Sequence, residues 1–198
     1  MKDKGICFWF VGLPGCGKSS ISKRVYNALI NKGIDAAYLE MDKLRKKYFP
    51  NPKYTADERE RAYELFVEDA YKEFIKGKVV IMDGTAYKVK MRQLARDKMG
   101  KNFFEIFVKC SIETAIKRES QRKNGLVMAD LYKKALDRKK TGKQYPGLGE
   151  VIGIDVPFEE DKNCDFVLEN DTLSLDKAVS LCLKFIDKKL NSEGFSKA

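Results

Sequence analysis

The chain has 198 residues, 43% of them hydrophobic and 34% charged, with a formal net charge of +10 and no histidine. This length suits one domain with a proper core. No apolar run approaches the roughly 20 residues of a membrane span, so a cytoplasmic protein is expected. The absence of imidazole removes serine–histidine hydrolases and histidine-ligated metalloenzymes, leaving carboxylates, lysine or solvent for any acid–base step. Five scattered cysteines without a C-x-x-C pair argue against a disulfide framework or a zinc site.

In chain order, ICFWFV (residues 6–11) is a continuous apolar run and reads as a central strand. Residues 19–31 carry helical spacing at Ile21, Val25, Ala28 and Leu29, and Gly33 follows as a stop. A second strand is expected over 34–40. Thr55 and Glu58 form a capping-box pattern opening a helix that ends near Gly77. Strands follow at 79–83 and 103–108. Between them lies a helix over 89–99 closed by Gly100, and Ser111 caps the next helix. Residues 118–160 are rich in Lys, Arg and Gly, with a helical stretch over 129–140, and read as a lid or binding loop. A fifth strand over 165–170 and an amphipathic helix over 175–190 close the chain. Strand alternating with helix predicts an α/β sandwich of three layers around a five-stranded parallel sheet, in a single domain spanning 1–198.

The chemistry begins at GLPGCGKS (residues 12–19), which satisfies G-x-x-x-x-G-K-[ST] between a strand and a helix. Glycines let backbone N–H groups wrap a β-phosphate, aided by the helix dipole. Lys18 reaches the β- and γ-phosphates, and the Ser19 hydroxyl takes a place on magnesium. Gly12, Leu13, Pro14, Gly15, Cys16, Gly17, Lys18, Ser19 and Ser20 are therefore the expected ATP-binding residues. Asp83, ending the third strand, is placed to hold a magnesium-bound water. Asp42, following the second strand in a loop, is placed to accept a hydroxyl proton or order the metal. The net charge of +10 points to anionic partners, but lysines spread over most helices argue against nucleic acid. The string N-K-x-D of guanine-specific proteins does not occur.

Beyond the phosphate loop the chain resembles the adenylylsulfate (APS) kinase family as far as about Asn170. LEMDKLR (39–45) resembles the family's L-D-G-D-N-x-R, and RQLAR (92–96) its arginine-bearing helix. FFEIFVKCSIETAIKRE (103–119) resembles its F-x-E-V-F-V…R-D region, LYKKA (131–135) matches outright, and GIDVPFE (153–159) resembles G-I-D-x-P-Y-E. The resemblance implies an ATP- and magnesium-dependent kinase that phosphorylates the 3′-hydroxyl of adenosine 5′-phosphosulfate. It implies substrate contacts from Arg45, Tyr54, Arg59, Arg92, Lys133, Ile154 and Phe158, with Tyr54 and Phe158 sandwiching the acceptor base. A small anionic nucleotide is the expected partner, no membrane is involved, and a homodimer is left open.

Departures fall on the acceptor side. Glu40-Met41-Asp42 stands for the family's D-G-D, Ala62 and Glu64 stand where asparagine and arginine are expected, and Ala86 is read at the family's serine. With alanine there, direct in-line transfer is the default. These edits keep open another acceptor, such as cytidine diphosphoramidate or a small metabolite.

Overall fold

The computed structural model describes residues 5–121, 130–192 and 195. Five strands form one parallel sheet in the order β2-β3-β1-β4-β5: β1 (Ile6–Val11), β2 (Ala36–Glu40), β3 (Val79–Asp83), β4 (Phe103–Lys109) and β5 (Phe166–Glu169). The first, third and fourth are apolar on both faces because both faces are covered. Cys7, Trp9 and Val11 point into a core shared with Phe66, Phe74 and Met91. Their neighbours Ile6, Phe8 and Phe10 point into a second core with Val25, Leu29, Cys182 and Ile186. The helices divide accordingly, with α1 (Lys18–Asn31) and α7 (Leu175–Ser192) on one side. On the other lie α2 (Met41–Tyr48), α3 (Ala56–Phe74) and α4 (Val89–Met99). This is the expected three-layer architecture.

Local signals behave as read. Thr55 Oγ1 accepts from Glu58 N and Ser111 Oγ from Thr114 N, starting α3 and α5 (Ile112–Ser120). The Glu58 carboxylate reaches past the cap to the backbone N–H groups of Lys53 (2.6 Å) and Tyr54 (3.0 Å). Two readings change. The second strand begins at Ala36, and the loop expected after it is the helix α2, so Asp42 sits in a helical first turn. Such a turn favours a carboxylate. The helical stretch expected over 129–140 is α6 (Leu131–Thr141), and Ala129 lies outside the described residues, as does all of 122–129. Tyr132, Ala135, Leu148 and Val151 form a third, smaller cluster against Ala115 of α5. Among the described residues, no helix is long and apolar enough to cross a membrane.

One buried charge pair crosses the sheet side facing α4. Arg92 and Glu105 are both 0% exposed and lie 3.0 Å apart. Burial pushes the Glu105 carboxyl up to about 7, against the pull of Arg92. The folded state therefore holds this proton over a pH range where the unfolded chain has released it. Glu105 contributes stability fully below the unfolded carboxyl range, and the contribution is lost as pH rises through about 7. Urea midpoints of the wild type should include a Glu105 component that falls between pH 5 and 8 by on the order of 2–3 kcal/mol. In Glu105→Gln that component disappears; identical pH slopes in the two proteins would refute it.

Candidate active site

The carboxyl ends of β1, β2 and β3 converge on one cleft, where open α/β sheets place ligands. The chain leaves β1 at Val11 and turns through residues 12–17. Gly15 has φ 86°, and a Cβ there would lie 2.4 Å from the Ala115 carbonyl oxygen, so only glycine admits this close approach. Gly17, at φ 102°, precedes α1 without a side-chain cap, so the helix begins with N–H groups suited to an anion. Lys18 Nζ donates to Gly12 O (3.0 Å) and Leu13 O (2.9 Å).

Three distant elements brace this loop from behind. Asn170 Nδ2 (2.8 Å) and Arg118 Nη1 (3.3 Å) donate to Cys16 O, and Tyr132 Oη donates to Pro14 O (2.7 Å). Pro14, Gly15, Gly17, Lys18 and Ser19 line the cleft. Cys16 is fully buried behind it and Ser20 is exposed, and neither lines the cleft.

Asp42 and Asp83 both line the cleft. Asp83 is 3% exposed and accepts a hydrogen bond from Tyr38 Oη at 2.9 Å. Burial raises its pKa, while the Lys18 charge and the Ser19 and Tyr38 hydroxyls pull it down. The Ser19 hydroxyl and the Asp83 carboxylate in one cleft offer hard oxygen donors, which fits magnesium held mainly by nucleotide phosphates and water.

Arg45, Tyr54 and Arg59 form the opposite wall. The Arg45 guanidinium lies 5.2 Å from the Tyr54 ring centre, and its Nη1 is 3.6 Å from Glu58 Oε1. Arg59 Nε donates to Tyr54 O at 3.1 Å and Nη2 to Glu150 O. Both arginines are buried, at 5% and 6% exposure, yet Nη1 of each has no hydrogen-bond partner in the protein. Tyr54 holds φ 57°, an unfavourable conformation for its type, and such strain concentrates at ligand sites.

The other expected substrate residues lie elsewhere. Arg92 spends its donors on Glu105, Ala86 O and Glu159 O, fully buried behind the cleft. Phe158 stacks on Phe107 (ring centres 5.1 Å, interplanar 15°) and lies under the Arg92 guanidinium, so its face is already covered. Ile154 packs on the α5–α6 cluster, and Lys133 is exposed on α6. Tyr63, Thr85, Glu119, Val151 and Ile152 line the cleft and were not anticipated. Tyr63 had a visible signal, since it lies four residues after Arg59 on the buried face of α3.

The acceptor-side departures also move. Ala62 is fully buried in the core, and Glu64 is exposed and paired with Arg61 at 2.7 Å. Ala86 is fully buried at φ 41°, its N–H donated to Tyr63 Oη. None of the three lines the cleft. Thr85 lines it instead, so a hydroxyl is present on that wall.

The profile of the adenylylsulphate kinase family matches residues 4–169. A probable adenylyl-sulfate kinase of Halalkalibacterium halodurans is 28% identical over 189 residues, covering 94% of this chain and 83% of the relative. One from Aeropyrum pernix is 29% identical over 181 residues, covering 90% of each. Among solved structures, the Mycobacterium tuberculosis APS kinase in complex with AMPPNP and APS superposes with a TM-score of 0.77. It is 26% identical, covering 93% of this chain and 98% of that one. The chain belongs to the adenylylsulphate kinase family.

Proposed function

We propose that the protein transfers the γ-phosphoryl group of ATP to the 3′-hydroxyl of adenosine 5′-phosphosulfate, releasing ADP and the 3′-phosphorylated product. The observation that carries the acceptor assignment is the pair of buried guanidinium nitrogens beside the cleft, Nη1 of Arg45 and of Arg59, that make no hydrogen bond in the protein, Arg45 Nη1 having only its 3.6 Å ion pair with Glu58. Buried donors of this kind call for an anionic partner, and the planar guanidinium suits sulfate and phosphate oxygens. Of the departures that had kept another acceptor open, Ala62, Glu64 and Ala86 lie outside the cleft, while Glu40 and Met41 line it beside Asp42.

The P-loop amides and Lys18 hold the β- and γ-phosphates while charge spreads over the transferring group. Magnesium, when bound through Ser19 and the phosphates with Asp83 on its water, would neutralise that charge. Asp42 orients the acceptor hydroxyl and takes its proton as the oxygen attacks phosphorus. Tyr54 supports the acceptor from the Arg45 side. The described part of 118–160 works as a lid: α6 is tied to the P-loop through Tyr132, and residues 150–152 close one wall. A homodimer of one-domain chains in the cytoplasm completes the reading.

The test is ADP release with magnesium-ATP and a panel of acceptors. Turnover with APS well above that with cytidine or adenosine diphosphate derivatives is expected; silence with APS alone would overturn the assignment. Arg45→Gln and Arg59→Gln should each raise the KM for APS about 10- to 100-fold, since a hydrogen bond to a charged group contributes about 1.5–3 kcal/mol. The KM for ATP should stay within about twofold of wild type.

A further inference from the structure

Asp83 lines the cleft beside Ser19, at the start of α1. On the other side stands Tyr38 of β2, whose Oη lies 2.9 Å from Asp83 Oδ2 and 3.1 Å from Ser22 Oγ. The placement follows from register. Tyr38 pairs with Ile81, two residues before Asp83, so both side chains leave the sheet on the α1 face. Ser19 and Ser22 are three residues apart on α1 and so share one face of it. Ser22 is fully buried, and the Tyr38 ring packs on Tyr26 with centres 5.5 Å apart.

The chain of donors has one direction. An ionised carboxylate only accepts, so Tyr38 spends its single proton on Oδ2, and the Ser22 hydroxyl must then donate to Tyr38. One carboxylate oxygen is thereby occupied behind the site, and rotation of the group is blocked. We propose that Tyr38 is a positioning residue that fixes Asp83 so that its remaining acceptor capacity faces the magnesium side of the P-loop, with Ser22 setting the tyrosine hydroxyl. This inference rests on the reading of Asp83 as the holder of magnesium-bound water. Tyr38 touches neither nucleotide nor metal; it acts through Asp83.

The experiment is calorimetric titration of AMPPNP, with magnesium and with EDTA, into wild type, Tyr38→Phe and Ser22→Ala, without any acceptor. The ratio of the two affinities isolates the magnesium contribution. Phenylalanine keeps the ring and its packing on Tyr26, so thermal unfolding serves as the control for fold. In Tyr38→Phe the ratio should fall about tenfold, with affinity in EDTA within about twofold of wild type, because a hydrogen bond to a charged acceptor is lost. In Ser22→Ala, where only the second link is cut, the ratio should fall about threefold. Turnover should show the same split, the half-saturating magnesium concentration rising more than kcat falls. An unchanged ratio in both variants, or equal losses with magnesium and with EDTA, overturns the role of Tyr38. A wild-type affinity indifferent to magnesium overturns the reading of Asp83 itself, so the two failures are told apart.

Discussion

Lys18→Ala should lower kcat about a thousandfold while leaving the protein folded. The size follows from the role: removing one preorganised cation from a phosphoryl transition state costs about 10²–10³ or more in rate, because little else in such reactions is left for the protein to supply. The stability forecast follows from position. Lys18 opens α1, where the helix dipole disfavours a cation, and no acidic residue in the first turn offsets it. Its hydrogen bonds go to Gly12 O and Leu13 O, carbonyls of the loop it serves. Removing it loses two bonds and its attraction to the buried Asp83 carboxylate, offset in part by relief at the helix start, so the loss of stability should be about 1 kcal/mol. The check is single-turnover ADP formation beside equilibrium unfolding. A rate loss below tenfold in a folded variant would show that Lys18 is not the group stabilising the transferred phosphoryl.

What the sequence made legible was what short segments decide for themselves. The glycine pattern of the P-loop announces a phosphate site, since only glycine tolerates the approach to Ala115 O that Gly15 makes. Thr55 and Ser111 announce helix starts through contacts three residues long. The helix α2 was missed because eight residues with one buried hydrophobic, Met41, show no readable period. Arg59 and Tyr54 could be proposed from a motif, but which guanidinium nitrogen stays unpaired depends on Glu150, 91 positions away. The same holds for the grip of Tyr38 on Asp83, 45 positions apart. Ala86 and Thr85 are adjacent, yet Thr85 lines the cleft while Ala86, at φ 41°, is fully buried. Such choices are made by packing between distant segments, which no local pattern carries.

Arg92 shows how a sequence motif and a structural need can use the same residue type. Its guanidinium bonds to Glu105 Oε2 at 3.0 Å, to Ala86 O at 2.5 Å and to Glu159 O at 2.6 Å, so it links α4, β4, the strained segment after β3 and the segment around Glu159. The Phe158 ring lies 5.2 Å beneath it. Arg92→Ala leaves two carbonyl oxygens and one buried carboxylate without a donor and opens a cavity in the core. Breaking a buried pair by removing one partner costs about 3–5 kcal/mol, a large share of the roughly 5–15 kcal/mol that holds a domain folded. Arg92→Lys should recover less than half of this, since an ammonium lacks the planar fork that meets three acceptors at once. In any variant that folds, the KM for APS should stay within about threefold of wild type, in contrast to the Arg45 and Arg59 variants, because Arg92 does not line the cleft. Urea unfolding read beside acceptor kinetics separates the two roles. An unchanged midpoint with a KM raised tenfold would restore Arg92 to the substrate; a lost midpoint with an intact KM makes it the tie that holds the cleft wall in place.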